Sequence, residues 1–179
     1  TVESLKAVHE IADSNLLPDY VASVIDESTG EFYDQKVKYA VENILSEHTA
    51  YWHFVTSFLG FWGNGGMQAV LLCDDDEISY KQWELKKTVQ AFNAYGCHET
   101  AKFIEKLIPK SKCWSKAIAE LNNREMNGEK IPEELFENIW SEVDKYDKHF
   151  ENACEKDPDI FEIMTLDIRQ FPEKYLPKK

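Results

Sequence analysis

The feature that most constrains this chain is a stretch of 26 residues, 48–73, that contains no Asp, Glu, Lys or Arg. All of the 33 acidic and 20 basic residues lie outside it, so this stretch is the part of the sequence best suited to a buried core. It is interrupted at Asn64-Gly65-Gly66, a turn sequence in which glycine permits positive φ. The apolar pieces on either side are shorter than the roughly 20 residues of a membrane-spanning helix. The stretch therefore predicts two buried helices joined by a tight turn.

Size and composition are those of one packed domain. Hydrophobic residues make up 43% of the 179 residues and aromatic residues 13%, which is enough for a core. The first residues are amphipathic and acidic and do not resemble a secretory signal. The cysteines have neither zinc-site spacing nor a regular disulfide framework; they are Cys73, Cys97, Cys113 and Cys154. We therefore expect a single cytoplasmic domain over residues 1–179, with reduced thiols and no bound cofactor.

Apolar residues recur at intervals of three and four along nearly the whole chain, and no segment alternates with the period of two that a strand requires. This spacing predicts an all-α fold, a single compact multi-helix domain around a buried aromatic helix pair. Pro18 and Pro132 are expected to open helices, whereas Gly96, Pro109 and Gly128 are expected to close or separate them. The predicted helices are 3–12, 18–27, 31–47, 48–62, 66–73, 77–95, 98–108, 111–122, 132–154 and 158–169, and residues 122–131 are predicted to form a loop.

The charge of the chain excludes some partners and favours others. A formal net charge of -13 makes nucleic acid and anionic membranes unfavourable partners, because both are themselves negatively charged. Basic proteins are favoured instead. The charge is also uneven, because residues 133–167 contain twelve acidic and three basic residues, whereas residues 78–130 contain six acidic and ten basic residues. We therefore expect a polarised surface.

The predicted helix at 132–154 carries a row of acidic side chains. Its apolar residues predict a buried stripe and are Phe136, Ile139, Val143, Tyr146 and Phe150. The acids predicted to be exposed, and to take the place of phosphates, are Glu133, Glu134, Glu137, Asp144, Asp147 and Glu151. At a rise of about 1.5 Å per residue, acids three to seven positions apart are about 5–10 Å apart along the axis, a spacing of the same order as that of nucleic-acid phosphates. The alternative is a solvated helix face that only keeps the protein soluble.

Three other polar groups have simpler structural explanations. The acids at 74–77 precede a predicted helix and are expected to cap it, with a divalent-metal site as the alternative. His48 and His53 are five residues apart and so lie on different helix faces, which favours core or boundary positions. Cys97 beside His98 could suggest a nucleophile and its base, but adjacent side chains diverge at a helix start, so a structural cysteine is favoured. We therefore expect no catalytic residue and no metal ligands.

Three segments together resemble a known family. They are FLGFWGNGGMQAVLL at 58–72, AFNAYGCHETAKFIEKLIP at 91–109 and ENIWSEVDKYDKHFENACEKDPDIFEIMTLDIRQFPEKY at 137–175. They are similar to the DNA mimic protein family, nineteen type, long catalogued as a domain of unknown function. The match runs from about residue 40 to about residue 175, so residues 1–30 could form an N-terminal helical extension. The resemblance implies an all-helical, usually dimeric protein whose carboxylates occupy the DNA-binding surface of a transcription factor.

Three functions are compatible with these observations. The first is a homodimeric DNA mimic that binds a basic DNA-binding protein and thereby acts in transcription regulation. The second is an immunity or antitoxin-type protein that covers a basic toxin. The third is a metal-dependent hydrolase that uses the acids at 74–77, although the sequence does not supply a general base, a nucleophile and an orienting group together. We therefore expect a non-enzymatic binding protein whose partner is a basic protein, with no direct contact to nucleic acid or membrane.

Overall fold

The computed structural model describes residues 17–178, and every regular element within this range is helical. The predicted all-α class is therefore confirmed. The helix predicted at 3–12 lies outside the described residues. The α-helices are α1 (Leu17–Asp26), α2 (Tyr33–Asn43), α3 (Glu47–Leu71), α4 (Ile78–Ala94), α5 (His98–Met126), α6 (Glu133–Cys154) and α7 (Ile160–Gln170), with 3-10 helices at Asp75–Glu77 and Pro172–Tyr175.

The described residues form two compact units, each with its own core. The first unit comprises the described residues up to Phe54 together with residues 159–178. The second unit runs from Val55 to Pro158, so the boundary falls within α3. The single domain predicted over residues 1–179 stays a prediction.

The first unit is built on the apolar stripes of α1 and α2. The buried residues of α1 lie at intervals of four and are Leu17, Val21 and Ile25. The chain that follows α7 adds polar contacts, because the Lys178 ammonium donates to the carbonyl oxygens of Val41 and Glu42 at 2.7 Å each. These carbonyls belong to the last turn of α2, where a helix leaves its acceptors without intrahelical donors. The lysine therefore closes the C-terminal end of α2.

Aromatic rings from the charge-free stretch form the core of the second unit. The Trp62 and Phe150 ring centroids are 4.9 Å apart, and the Phe58 ring lies 5.4 Å from Phe150 and 5.9 Å from Phe92. Tilted and edge-to-face contacts of this kind are favoured by the charge distribution of aromatic rings. The predicted buried aromatic helix pair is therefore confirmed. Within residues 17–178, no helix is both long enough and apolar enough to cross a membrane.

The turn predicted at Asn64-Gly65-Gly66 is a sharp kink within α3. Gly65 has φ -158° and ψ 21°, and Gly66 has φ 62° and ψ -159°, so two helical segments meet there at non-helical backbone. The Asn64 side-chain amide donates to the Gly60 carbonyl at 2.9 Å and thereby pairs a terminal carbonyl of the first segment. The left-handed φ of Gly66 explains why glycine is needed at this position.

The sequence predicts a helix break at Pro109, and this prediction is wrong, because α5 continues unbroken through the proline. A proline inside a helix costs about 3 kcal/mol, since it removes one backbone donor and crowds the preceding turn. However, Leu107 and Trp114 on either side are both buried. The Ser111 hydroxyl also donates to the Leu71 carbonyl at the end of α3. Packing on both sides of Pro109 therefore outweighs its cost.

Helix α5 also extends into the segment that the sequence predicts as a loop. The prediction covers 122–131, whereas α5 continues to Met126 and only residues 127–132 connect it to α6. Gly128 follows the helix with φ 87°, and its N–H donates to the Glu125 carbonyl at 2.9 Å. The glycine therefore marks the helix end correctly, but the polar residues before it do not stop the helix.

We predict that Gly66→Ala destabilises the protein by at least about 2 kcal/mol, because an L-residue at positive φ is strained. The added Cβ would also lie 2.8 Å from an Asp147 carboxylate oxygen. Gly63→Ala is the matched control, since Gly63 is helical and its added Cβ would have no neighbour within 4 Å. We expect that control to match the natural chain or exceed it by up to about 1 kcal/mol in denaturant unfolding. Equal losses for the two variants would contradict the role assigned to Gly66.

A second prediction concerns His53, whose burial lowers its pKa from 6.5 to about 4. The unfolded state therefore binds a proton more readily than the folded state, so stability is kept above pH 6.5 and lost as pH falls towards 4. Between pH 7 and pH 5 the expected loss from this residue is about 2 kcal/mol. His53→Phe keeps a ring of similar size but cannot titrate. The difference in unfolding free energy between pH 7 and pH 5 should shrink by that amount in the variant.

Candidate protein-binding surface

Helix α6 carries the acidic row that the sequence predicts as a binding surface. It begins at Glu133 after Pro132, and the two acids of its first turn, Glu133 and Glu134, meet the positive end of the helix dipole. Its buried residues are Val143, Phe150 and Ala153. The rest of the predicted apolar stripe is only partly shielded and comprises Phe136, Ile139 and Tyr146. The helix is therefore buried mainly along its C-terminal half.

Five of the six predicted acids are exposed, and four of these five share one flank of α6. The exposed acids are Glu133, Glu134, Glu137, Asp144 and Glu151. At about 100° per residue, four of them fall within an arc of about 40°, whereas Glu134 is turned away from this arc by at least about 60°. We call Glu133, Glu137, Asp144 and Glu151 the acidic row.

The sixth predicted acid, Asp147, is half-buried and bonded within the unit. Its Oδ1 accepts hydrogen bonds from the Trp62 indole Nε1 at 2.8 Å and from the Met67 backbone N–H at 2.9 Å. Met67 directly follows the kink of α3, so the carboxylate meets the first free N–H of the second helical segment. Asp147 therefore joins α6 to the kink, and its carboxylate is not displayed like those of the acidic row.

Asp144 lies one turn before Asp147 and also faces the kink. Its Oδ1 accepts a hydrogen bond from the Gln68 side-chain amide at 2.7 Å. Unlike Asp147, Asp144 is exposed. Because a carboxylate can accept several hydrogen bonds, the remaining lone pairs of Asp144 are available to an external donor.

Lysine or arginine side chains do not neutralise the acidic row within the described part of the chain. The ion pairs between residues 17 and 178 are Lys81–Glu84, Arg124–Glu129 and Lys174–Asp167. The lysines of α6 itself, Lys145 and Lys148, are exposed but make no such pair. Asp144 and Glu151 are seven positions apart, and Lys148 lies between them in the sequence. Glu133 and Glu137 are four positions apart, and like charges at that spacing cost a few tenths of a kcal/mol. An external cationic surface would relieve this repulsion.

The other flank of α6 lines a groove of the opposite character. The groove lies against α5 and has a volume of about 600 Å³. Its cationic side chains are Lys102, Lys106 and Lys156, and none of the three forms an ion pair within residues 17–178. Phe103, Ala153 and the His149 ring also line it, together with Glu99 and Glu155. Positive and negative side chains of the second unit are therefore partly segregated onto different flanks of one helix.

Asp75, Asp76 and Glu77 form the short 3-10 helix before α4, Asp74 directly precedes it, and all four are exposed. Neither Asp74 nor Glu77 makes a side-chain capping bond, so the predicted capping is wrong at both residues. Their positions near a helix start still favour negative charge. Among the described residues 17–178, no three His, Cys, Asp or Glu side chains come together in a way that could hold a metal ion.

The side-chain caps are found elsewhere. The Asp157 carboxylate accepts from the backbone N–H of Glu99 at 3.1 Å and of Thr100 at 2.7 Å, at the start of α5. Asp159 caps α7 by accepting from Phe161 and Glu162. Asp159 directly precedes its helix and is a recognisable N-cap in the sequence, whereas Asp157 caps a helix that starts almost sixty residues earlier. Local sequence patterns carry no signal for a contact of that kind.

The cysteines and histidines occupy structural positions. The Cys97 thiol is buried and donates to the Pro158 carbonyl at 3.7 Å, whereas His98 Nδ1 lies 2.9 Å from the Asn93 side-chain oxygen. The two side chains therefore have separate partners. The His48 ring packs edge-on against the Tyr175 ring at 5.8 Å. All four cysteines are free thiols; burial raises the pKa of Cys73 and of Cys154, whereas Cys113 is exposed.

We predict that Asp147→Ala costs about 2–4 kcal/mol of stability, because it leaves the Trp62 and Met67 donors without an acceptor. Asp147→Asn keeps one side-chain oxygen and should cost roughly 1 kcal/mol. Glu151→Ala is the control on the same helix, since Glu151 is exposed. Chemical denaturation followed by circular dichroism measures all three. A loss for Asp147→Ala no larger than that for Glu151→Ala would show that the bonds to the kink are not important.

No family model, curated protein or solved structure matched this chain when it was compared with them. The helical class expected from the resemblance to DNA mimic proteins is confirmed by the structure, whereas membership of that family stays a prediction.

Proposed function

We propose that this chain is a non-enzymatic acidic binding protein that acts as a DNA mimic. It occupies the DNA-binding surface of a basic protein, such as a transcription factor, and its carboxylates take the place of backbone phosphates. The contacting residues are those of the acidic row, Glu133, Glu137, Asp144 and Glu151, with Glu134 at its edge. Asp147 contributes by positioning α6 and does not itself contact the partner.

The observation that carries this proposal is that the acidic row is exposed and lacks ion pairs within the described part of the chain. Residues 137, 144 and 151 are seven positions apart, so their carboxylates are about 10 Å apart along the helix axis. One strand of duplex DNA carries a phosphate about every 3.4 Å along the axis, so each step between these acids corresponds to about three phosphate intervals. Because the row lies on a helix, the backbone positions of its acids are fixed before a partner arrives, which lowers the entropic cost of binding.

Segregation of charge within the second unit favours one orientation of a bound partner. The row lies on one flank of α6, and the groove with Lys102, Lys106 and Lys156 lies on the other. A basic partner is attracted more strongly to the first flank, because Glu99 and Glu155 only partly offset the three lysines of the groove. Complementary electrostatic potentials between two proteins raise their association rate and disfavour incorrect orientations.

An affinity-capture experiment tests the proposal. The full chain is immobilised, exposed to an extract of its native cells at low salt, and eluted separately with duplex DNA and with concentrated NaCl. Elution of the same basic DNA-binding protein by both treatments supports a DNA mimic. Elution by salt alone would instead favour the immunity or antitoxin alternative, in which the basic partner does not bind DNA through the covered surface.

We further predict that replacing Glu133, Glu137 and Glu151 by Gln, and Asp144 by Asn, weakens binding of the captured partner by at least about tenfold at low salt. Binding by the natural chain should weaken by a similar factor between about 0.05 M and about 0.5 M NaCl, because exposed charges are screened. The variant should be much less sensitive to salt. Surface plasmon resonance measures both quantities.

The matched control changes the net charge equally at exposed acids outside α6. It replaces Glu31, Glu42, Glu105 and Glu162 by Gln, and all four are exposed. If this control loses as much affinity as the acidic-row variant, binding depends on the net charge of the protein and does not depend on the acidic row. Affinity that stays flat with salt in the natural chain would exclude phosphate mimicry.

A further inference from the structure

Helices α5 and α6 form an antiparallel hairpin whose far end is not covered by the rest of the second unit. Their direction follows from paired contacts, because the Phe103 ring lies 6.1 Å from Phe150 and the Trp114 ring lies 5.6 Å from Tyr146. Beyond Ser115 on α5 and before Val143 on α6, no residue is buried. We call this segment, residues 116–142, the distal hairpin.

The distal hairpin displays large apolar side chains. Met126 is 77% exposed, Leu135 is 40% exposed and Trp140 is 37% exposed. Partly exposed apolar residues accompany them and are Ile118, Leu121, Ile131, Phe136 and Ile139. The Trp140 and Phe136 rings are neighbours, with centroids 5.9 Å apart. Clustered apolar surface of this kind is typical of an interaction site, and tryptophan is among the residues that most often anchor one.

The apolar side chains are surrounded mainly by acids. Residues 116–142 contain seven acidic and three basic residues, and one of the three, Arg124, is paired with Glu129 at 2.8 Å. On α6 the Trp140 side chain projects within about 60° of Glu133 and Glu137, so an aromatic ring lies beside the acidic row. A phosphate mimic alone has no need of an exposed indole at that position. The surface is therefore complementary to a partner that is both basic and apolar.

We propose that the distal hairpin binds a basic amphipathic helix of the partner protein, with Trp140 as its apolar anchor. This inference rests on the proposed function and specifies the partner further. The apolar face of the incoming helix packs against Trp140 and Met126, and its lysine or arginine residues face Glu133 and Glu137. Leu135 projects about 140° away from Trp140 on α6 and is not part of this contact. A helix laid along two antiparallel helices buries its apolar stripe as in other helix-in-groove complexes.

Designed peptides of about 20 residues test this inference, because a peptide of that length is long enough to form a helix when it binds. The first carries Leu at helical spacing with Lys and Arg on the other face. The second has the same composition in an order without an apolar face, and the third replaces each Leu by Ser. Fluorescence anisotropy of the labelled peptides measures their affinity for the full chain. We expect the first peptide to bind at least about tenfold more tightly than either control.

Variants of the chain locate the contact. Trp140→Ala should weaken binding of the first peptide by about 10- to 30-fold, as expected for an aromatic anchor, whereas Trp140→Phe should keep most of the affinity. Met126→Ser provides a second variant that leaves folding intact, because Met126 is 77% exposed. Phe161→Ala is the matched control, since Phe161 is 57% exposed and lies in the first unit. Thermal unfolding by circular dichroism verifies that each variant is folded.

The outcomes separate this inference from the proposed function. If substitution of the acidic row weakens partner binding but Trp140→Ala and Met126→Ser have no effect on peptide binding, the anchor is excluded and the DNA mimic remains. If the three peptides bind equally, the amphipathic partner is excluded. If sedimentation shows dimers that Trp140→Ala dissociates, a second copy of this chain covers the distal hairpin, which also overturns the inference. Failure of the proposed function is recognised separately, by salt-insensitive binding of the captured partner.

Discussion

The second unit depends on one carboxylate that is shared by two donors. Asp147 accepts hydrogen bonds from the Trp62 indole and from the Met67 backbone, and it lies against Gly66 so closely that a Cβ at that position would meet its oxygen at 2.8 Å. The kink of α3 and the placement of α6 are therefore fixed by the same contact. Asp144 of the acidic row also accepts a hydrogen bond from Gln68, which follows the kink. The orientation of α6, and with it that of the acidic row, is therefore set by an acid that is not itself displayed.

Periodic features of this fold could be predicted from the sequence, whereas features that depend on distant partners could not. The three- and four-residue spacing predicts the helical class, and Gly66 predicts the kink because only glycine tolerates its backbone conformation. The predicted helix break at Pro109 is wrong because the burial of the neighbouring residues depends on tertiary packing, which a local sequence pattern does not contain. Asp147 lies about 40° from Glu151 on the helix, on the side of the apolar stripe, but its donors lie at least 80 positions away, so the local pattern does not contain its hydrogen bonds.

The composition of this protein gives its net charge but not how the charges are arranged on its surface. A net charge of -13 indicates an acidic molecule, yet lysines line a groove on one flank of α6 while unpaired acids occupy the other. The exposed apolar residues of the distal hairpin are equally hidden, because their helical spacing is that of an ordinary core stripe. Trp140 follows that spacing closely, and only the absence of buried residues from 116 to 142 distinguishes a surface anchor from a core residue.

The four free thiols differ in a way that has a practical consequence. Cys97 is buried, and burial raises the pKa values of the partly exposed Cys73 and Cys154, which lowers the thiolate fraction of both at neutral pH. Cys113 is exposed on α5, one residue before Trp114. We therefore expect a maleimide dye to attach first at Cys113, on the same helix that enters the distal hairpin. A fluorescent reporter can be placed there without introducing or removing any cysteine.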